Sequence, residues 1–527
     1  MRIKSYGTGL ALLAMLCAGG TALAQSGPQV TLKSFDGFTQ LRGELVDFNG
    51  QTYTLRTRLG TLQIDALQVS CEGNGCPEDL LFGAQFAVRG SDTVAEDLMP
   101  ALVEGYADTL GASLEREVGT SPGQQTFRVI HPDGQEMAAI DLASTATDAT
   151  FAALASGDAA IAMSSERITE DNAQQLISVG LPDPRTSGSE VIAALDGLLV
   201  VVHPDNPVRS ISLDELARVF AGEITNWSEL GGPNVAITVF AREDGSGPMT
   251  AFDELVMAPY GLSMAGTVDR LGSNADLSDT VASDPSAIGI TPFAYRRASK
   301  ALAIRQDCGI VSEPSEFSIK TEEYPLSRRL YLYGGGDDVP AHARRLLAFA
   351  QSDEASPFVR DAGFVSLSPS AEGLGQQGLR LSYALTSQQE FSLPLMQEML
   401  TDLEGAQRLS TTFRFTPGSS QLTAKSQAEA EALAEQIANG EFDGQNILLV
   451  GFTDSIGQFE LNRALAQRRA QGVLFTMAES VNARAGESAS LGGALIEVRG
   501  YGEMTPVGCN TSFAGRVANR RVEVWVR

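Results

Sequence analysis

The sequence predicts a multidomain chain: a small N-terminal β module, a large α/β domain and a compact C-terminal α/β sandwich. Three patterns carry this. Residues Val30 to Val69 alternate apolar and polar positions with many β-branched side chains, and Asp36-Gly37 and Asn49-Gly50 supply turn signals, as in an antiparallel sheet. From Leu81 to about Leu367 strand-like runs alternate with amphipathic helical runs, which predicts parallel α/β architecture. From Leu409 the order is strand, helix, strand, helix, strand, strand, over Leu409 to Phe415, Thr423 to Ala438, Ile447 to Val450, Glu460 to Ala478, Leu495 to Arg499 and Arg521 to Val526. The expected boundaries are 1–24 for a signal peptide, 28–80 for the β module, 81–370 for the central domain, 371–404 for a linker and helix (Ser387 to Leu403), and 405–527 for the last domain.

The first residues set the expected compartment. Arg2 and Lys4 precede an apolar run from Gly9 to Ala18, and Ala22-Leu23-Ala24 offers a cleavage pattern before Gln25. Cys17 follows Leu16 inside the apolar run, which argues against lipidation. No later segment approaches the ~20 continuous apolar residues of a membrane span. A formal charge of -27 excludes a nucleic-acid binder, whose phosphate contacts need clustered Lys and Arg. An oxidising compartment makes Cys71 and Cys76, separated by four residues, a candidate disulfide; Cys308 and Cys509 are then the leftover pair, although spacing does not fix connectivity.

Chemistry concentrates where apolar strands end in corners that open helices. Phe86-Ala87-Val88 leads into Gly90-Ser91-Asp92-Thr93, before a helix with Val94, Leu98, Leu102, Val103 and Tyr106 on one face. Ile161-Ala162-Met163 leads into Ser164-Ser165-Glu166-Arg167, with Thr169 as the next helix cap. Val235 to Phe240 leads into Arg242-Glu243-Asp244-Gly245-Ser246-Gly247, with Pro248 at the first helical position. Amide donors, hydroxyls and helix dipoles at such corners suit a dry oxyanion. A single Ser or Thr there is ordinarily only a cap worth ~1 kcal/mol. The third corner adds an arginine, whose guanidinium can grip an oxyanion in two places.

The motifs Asp196-Gly197-Leu198, His203 to Pro207, Phe220 to Trp227, Arg242 to Gly247, Gly272 to Ala275, Ala287-Ile288-Gly289 and Tyr324 to Arg328 resemble the phosphate-binding proteins of ABC transporters. The resemblance covers about Leu81 to Leu367 and implies a two-lobed periplasmic-binding-protein fold closing on its anion. It assigns the ligand corners to Ser91 and Thr93, to Ser164 and Ser165, and to Arg242, Ser246 and Gly247. Pro248 departs from the family's threonine, and Ser165 stands where some members place a proton-accepting aspartate. Glu166 and Asp92 are the alternative acceptors, and oxyanion binding is a firmer expectation than phosphate itself. Elsewhere in the domain, Asn226-Trp227 is read as a packed turn after a helix from Ser212 to Ala221 with a Ser212/Glu215 capping box, and Glu322 and Glu323 as solvated surface.

Gly373 to Gly378 formally matches G-x-G-x-x-G, but Leu379 to Ala384 alternates like a strand, so the segment is read as a linker. In the C-terminal domain, Gly451 to Gly457, then Asn462, Leu465, Arg469-Ala470 and Val473, resemble the OmpA-like peptidoglycan-binding motif, continued by Gly500-Tyr501-Gly502 and Asn519 to Val522. The resemblance implies that Asp454 takes the ammonium and Arg469 the carboxylate of diaminopimelate, with Asn462 and Arg521 shaping the pocket. Ala466 replaces the family's usual serine, and Ser480 to Gly493 is unusually small and polar.

The expected function is a periplasmic solute-binding protein for an oxyanion, with phosphate foremost, tethered to peptidoglycan near the outer membrane. An ABC permease or an outer-membrane protein is its expected partner. The alternative is an envelope scaffold or sensor whose binding fold has changed or lost its ligand. Catalysis, cofactors and metals are not expected: the three histidines fit no zinc pattern, and Gly245-Ser246-Gly247 is not a nucleophile elbow, which leaves a phosphatase as a minor alternative.

Overall fold

The computed structural model describes residues 28–34, 39–48, 52–58, 60–66, 69–73, 75–76, 82–119, 123–186, 189–334, 339–386, 391–416, 419–485 and 493–527. The signal segment and the turn pairs Asp36-Gly37 and Asn49-Gly50 lie outside them. The chain forms two compact units, Met1–Leu81 and Phe82–Arg527.

In the first unit, β1 (Gln29–Ser34), β2 (Gln40–Phe48), β3 (Thr52–Thr57), β4 (Gly60–Asp65) and β5 (Val69–Glu72) form an antiparallel sheet in the order β4-β3-β2-β1-β5. Val30, Leu32, Tyr53 and Leu55 alternate onto its buried face, as the two-residue period of a strand requires. Cys71 and Cys76 are disulfide-bonded at the end of β5.

The second unit starts with β6 (Ala84–Gly90), β7 (Ser113–Val118), β8 (Gln125–Ile130), β9 (Glu136–Ser144) and β10 (Ile161–Ser164) of lobe 1, followed by the long β11 (Glu190–Val202). Lobe 2 contributes β12 (Thr238–Arg242), β13 (Asp269–Leu271) and β14 (Ala287–Pro292), and β15 (Ser327–Gly334) returns to lobe 1. The order is β13-β12-β14-β11-β15-β10-β6-β9-β8-β7. This sheet is mixed rather than parallel throughout. The strands that end in the candidate corners remain parallel, β10 and β9 flanking β6 and β14 beside β12, so their carboxyl ends line up. β11 serves both lobes: Glu190 to Gly197 pair with β15, and Leu198 to Val202 pair with β14. Lobe 2 packs around Leu199, Phe220, Trp227, Phe252 and Ile288. The Ser212/Glu215 capping box forms at the helix Leu213–Phe220, and Trp227 is fully buried in the turn that follows.

The C-terminal sheet comprises β16 (Ala371–Gly373), β17 (Gln407–Arg414), β18 (Asn446–Gly451), β19 (Leu495–Gly500) and β20 (Arg521–Val526), ordered β16-β17-β20-β18-β19. Helices Ala424–Ala438 and Phe459–Ala485 pack on one face through Ile437, Leu449, Val473 and Val524. The opposite face corrects the sequence reading of 371–404. Gly378–Thr386 is a helix, not a strand, and with Leu393–Asp402 it covers Leu448, Val450 and Trp525. Leu379, Leu381 and Tyr383 alternate over too few residues to distinguish the two periods, and packing of Leu381 and Ala384 decides for helix. The segment is therefore a layer of the domain rather than a linker. Residues 387–390 of the expected helix, and 486–492 of the small polar segment, lie outside the described residues. Among the described residues, no helix is long and apolar enough to cross a membrane.

Glu322 and Glu323 correct another expectation, since neither is solvated surface. Glu322 pairs with Arg329 and with Lys425 at 3.2 Å, and Glu323 pairs with the fully buried Arg408. Burial alone would raise the Glu322 carboxyl, but Lys425, Arg329 and Arg414 outweigh it and bring it from 4.5 down to about 2. Arg408, Arg380 and Arg521 also surround Glu523. Sequence neighbours gave little sign of this cluster: only Arg329 lies close to the pair along the chain, whereas Arg408 and Lys425 arrive from 85 and 103 residues away.

Candidate functional site

Three corners converge. Register places Gly90 beside Met163 and Ser144, which sets the first and second corners side by side at one edge of lobe 1. The third corner meets them from lobe 2. A methyl group built on Gly247 would stand 2.6 Å from Ser165 Oγ, 2.7 Å from Thr93 Oγ1 and 2.9 Å from Ser91 Oγ, so three hydroxyls of one lobe press on the first helical residue of the other. A side chain there would force those hydroxyls to move. Ser91 and Ser165 hydroxyls also bond to each other.

Arg242 ends β12 beside this contact and is 4% exposed. Its Nε donates to Leu271 O at 3.2 Å, Nη2 lies 3.7 Å from Asp92 Oδ2, and the buried Nη1 makes no hydrogen bond. Thr93 Oγ1 is likewise buried and unpartnered. Asp92 occupies the donors expected to face a ligand: its Oδ1 accepts the amides of Thr93 at 2.8 Å and Gly247 at 3.0 Å. The neighbouring Glu96 carboxyl is pushed above its ordinary value by burial and by Asp92.

Two expected hydroxyls are committed to their own turns. Ser164 Oγ donates to Glu166 O at 2.7 Å, and Ser246 Oγ donates to Glu243 O at 2.9 Å. They shape corners rather than pointing donors into the cleft. Sequence reasoning missed a fourth corner, Ser144-Thr145, where β9 opens the helix Thr147–Ser156; its signal was the same strand, hydroxyl, helix order used for the others. Thr145 N donates to Gly90 O at 2.8 Å, and Ser144 Oγ is buried without a partner. It also missed the brace behind Gly247. Arg328 Nη1 donates to Gly247 O at 3.0 Å while Nε and Nη2 bind Asp196 Oδ2 at 2.9 and 2.7 Å, an ion pair buried between the two lobe-crossing strands.

In the C-terminal domain Asp454 follows β18 and Arg469 sits on the helix Phe459–Ala485. Both are 8% exposed. Asp454 Oδ2 accepts from Arg520 Nη1 at 2.6 Å. Asn462 Nδ2 donates to Asp454 O at 3.3 Å and to Glu503 Oε2 at 3.0 Å, which fixes the loop. Arg469 lies over the Phe415 ring at 5.2 Å, and its buried Nε and Nη1 make no hydrogen bond. Burial, then Arg520, pulls its pKa below the usual guanidinium value against the pull of Asp454. Arg521 is fully buried over Phe452 at 4.3 Å with Nε donating to Glu523 Oε1 at 2.8 Å, so it supports the sheet end behind the pocket. Its neighbour Arg520, missed from sequence, points to the opposite side and meets Asp454. Gly451 permits the approach of β18 to the helix, since a methyl group there would lie 2.0 Å from Ala466 O.

Residues 124–354 match the PBP superfamily domain, and residues 414–520 match the OmpA family. The chain is 33% identical over 177 residues to the phosphate-binding protein PstS of Bacillus subtilis, covering 33% of this chain and 55% of that protein, little more than half its length. It is 27% identical over 291 residues to the protein SphX of Synechococcus elongatus, covering 51% of this chain and 83% of that one. Among solved structures, an ABC-type phosphate transport receptor from Vibrio cholerae is similar at 23% identity and a TM-score of 0.40, covering 53% of this chain and 99% of that one. With two lobes meeting at a set of strand ends, followed by a sheet carrying the Asp454 and Arg469 motif, the chain joins a PBP superfamily domain to a domain of the OmpA family.

Proposed function

We propose that this protein binds a small oxyanion in the cleft between its lobes, phosphate foremost, and is held to peptidoglycan by its C-terminal domain in the periplasm. The observation that carries the reading is Arg242: a buried guanidinium with an unpartnered Nη1, 3.7 Å from Asp92 of the opposite lobe and on the corner whose Gly247 meets that lobe's hydroxyls. A buried cation in that state is strongly stabilised by an anion. The PstS relative named above, described as phosphate-binding, supports phosphate as the first anion to test. Asp92 gives the cleft a proton acceptor. An oxyanion carrying a proton can donate to it, whereas sulfate meets a carboxylate with nothing to offer.

In the C-terminal domain Asp454 and Arg469 supply the acid and the cation that a zwitterionic wall peptide requires, and Arg469 again has unpartnered donors. An ABC permease or an outer-membrane protein is the partner class that would receive the anion. One observation favours the second reading, a scaffold or sensor: Asp92 already satisfies the Gly247 amide. Calorimetry with phosphate, arsenate and sulfate separates the two. Binding of phosphate and arsenate, weakened by about 2–5 kcal/mol in Arg242→Ala, supports the carrier; no heat with any anion sinks it. Retention of Asp454→Ala and Arg469→Ala on purified peptidoglycan would overturn the tether.

A further inference from the structure

The C-terminal domain is bonded to lobe 2 at two places, by a disulfide and by a buried charge cluster. Cys509 forms a disulfide with Cys308 of lobe 2. Beside it Gln306 grips the same segment twice, Nε2 donating to Val507 O at 3.2 Å and Oε1 accepting from Cys509 N at 2.9 Å. From the other side Asn519, fully buried, holds 507–510: its Oδ1 accepts from Val507 N and Gly508 N, and its Nδ2 donates to Gly508 O and Asn510 Oδ1. Asn510 Oδ1 in turn accepts from Ser455 N, next to Asp454. A second attachment joins Arg414 to Thr321 O at 2.7 Å, Lys425 to Glu322 and Arg408 to Glu323, with Arg408 also over the Phe317 ring at 5.3 Å. Phe317 to Tyr324 belong to the end of lobe 2, where Ile319 and Tyr324 enter its core.

On the lobe 1 side the arrangement differs. A cavity of about 570 Å³ separates Arg185 and Thr186 from the helix Ala424–Ala438, whereas one of about 820 Å³ is lined jointly by the Ser165 to Thr169 corner, by Leu255 and Tyr260 of lobe 2 and by residues 507–518. The direct links here are Glu322, shared between Arg329 of β15 and Lys425, and the hydrogen bonds of Ser370 with Ser410. The disulfide and the buried Arg408 pair tie the C-terminal domain to lobe 2, while lobe 1 meets it through fewer direct bonds, and that difference bears on which part can move.

We infer that lobe 2 and the C-terminal domain form one rigid body, clamped through residues 507–510, and that lobe 1 alone swings on β11 and β15 when the cleft fills. This rests on the oxyanion reading for its trigger. Cleft occupancy then becomes a displacement of lobe 1 relative to whatever the Asp454 pocket holds. The contacts between lobes at the cleft centre on Asp92, Gly247 and Arg242, so an anion there acts on the latch itself.

The test uses the full chain with pairs of spin labels, because the four described native cysteines are paired. Gln175→Cys in lobe 1 and Ser283→Cys in lobe 2 are each combined with Gln471→Cys in the C-terminal domain. With phosphate, the distance from 175 to 471 shifts by more than about 2 Å while that from 283 to 471 stays fixed. Equal shifts overturn the inference. Calorimetry on the same samples separates failures: if phosphate does not bind, the oxyanion reading falls, and ligand-free distance distributions still decide the clamp. A narrower 283–471 than 175–471 distribution supports it, and equal widths refute it. Gln306→Ala with Cys308→Ser and Cys509→Ser broadens the 283–471 distribution; an unchanged width in that variant removes residues 507–510 as the clamp.

Discussion

Replacing Arg408 with methionine is the most direct probe of the buried charge cluster. The guanidinium is fully buried and lies 3.2 Å from Glu323 Oε2, 3.4 Å from Glu523 Oε2 and 3.1 Å from Gln377 Oε1. Glu523 retains Arg380 and Arg521, but Glu323 loses its direct cation while remaining 14% exposed. Burial raises the Glu323 carboxyl and Arg408, followed by Arg521 and Arg380, brings it below its ordinary value, so the variant leaves desolvation with only distant compensation. Breaking a buried pair in this way costs about 3–5 kcal/mol, whereas Arg408→Met with Glu323→Leu removes both charges and recovers most of that loss. The chain has two tryptophans: Trp227 in lobe 2, and Trp525 in the C-terminal domain, whose Nε1 donates to Glu523 Oε2 at 3.0 Å. In a Trp227→Phe background, Trp525 fluorescence reports urea unfolding beside the cluster. At a slope of about 2 kcal/mol per molar urea, the single variant shifts the midpoint by roughly 2 M. A loss below about 1 kcal/mol, or a double variant less stable than the single one, would refute the assignment.

Acid should act on the same cluster. The Glu322 carboxyl lies at about 2 in the folded chain against 4.5 ordinarily, so its stabilisation is complete above about 4.5 and disappears as pH falls towards 2. About 3 kcal/mol is lost across that window, and Glu322→Gln flattens the profile; an unchanged profile in the variant would contradict the linkage. Gly247→Ala places a methyl group within 2.9 Å of three hydroxyls of lobe 1. Phosphate affinity should fall at least tenfold, about 1.4 kcal/mol, by calorimetry; full affinity would show that the lobes need not meet at Gly247.

Local patterns made much of the cleft legible. The corners at Ser91, Ser165 and Gly247 are each written within about six residues, because a strand, a turn and a helix cap are short-range features. Which hydroxyls face the cleft was not legible, since Ser164 and Ser246 differ from Ser165 only in the turn bonds they make. Asp92 could be named as an acceptor but not seen to hold the Gly247 amide across 155 positions. Glu322 and Glu323 read as solvent-facing acids because their neighbours give no hint of Arg408, Arg414 and Lys425. The layer formed by 371–404 was lost for a related reason: a six-residue apolar alternation fits either period until Trp525 and Leu448 supply the surface it covers.

The two disulfides have an order as well as a position. Cys71 bonds to Cys76, and Cys308 bonds to Cys509. Among these four, each cysteine is thus joined to its neighbour in chain order. A polypeptide emerging from its N-terminus can complete the local bridge early and must then carry a waiting thiol at 308 until the last domain arrives. Sequential oxidation reaches the native connectivity without reshuffling, and closure of the long bridge marks the completed union of the two folded bodies.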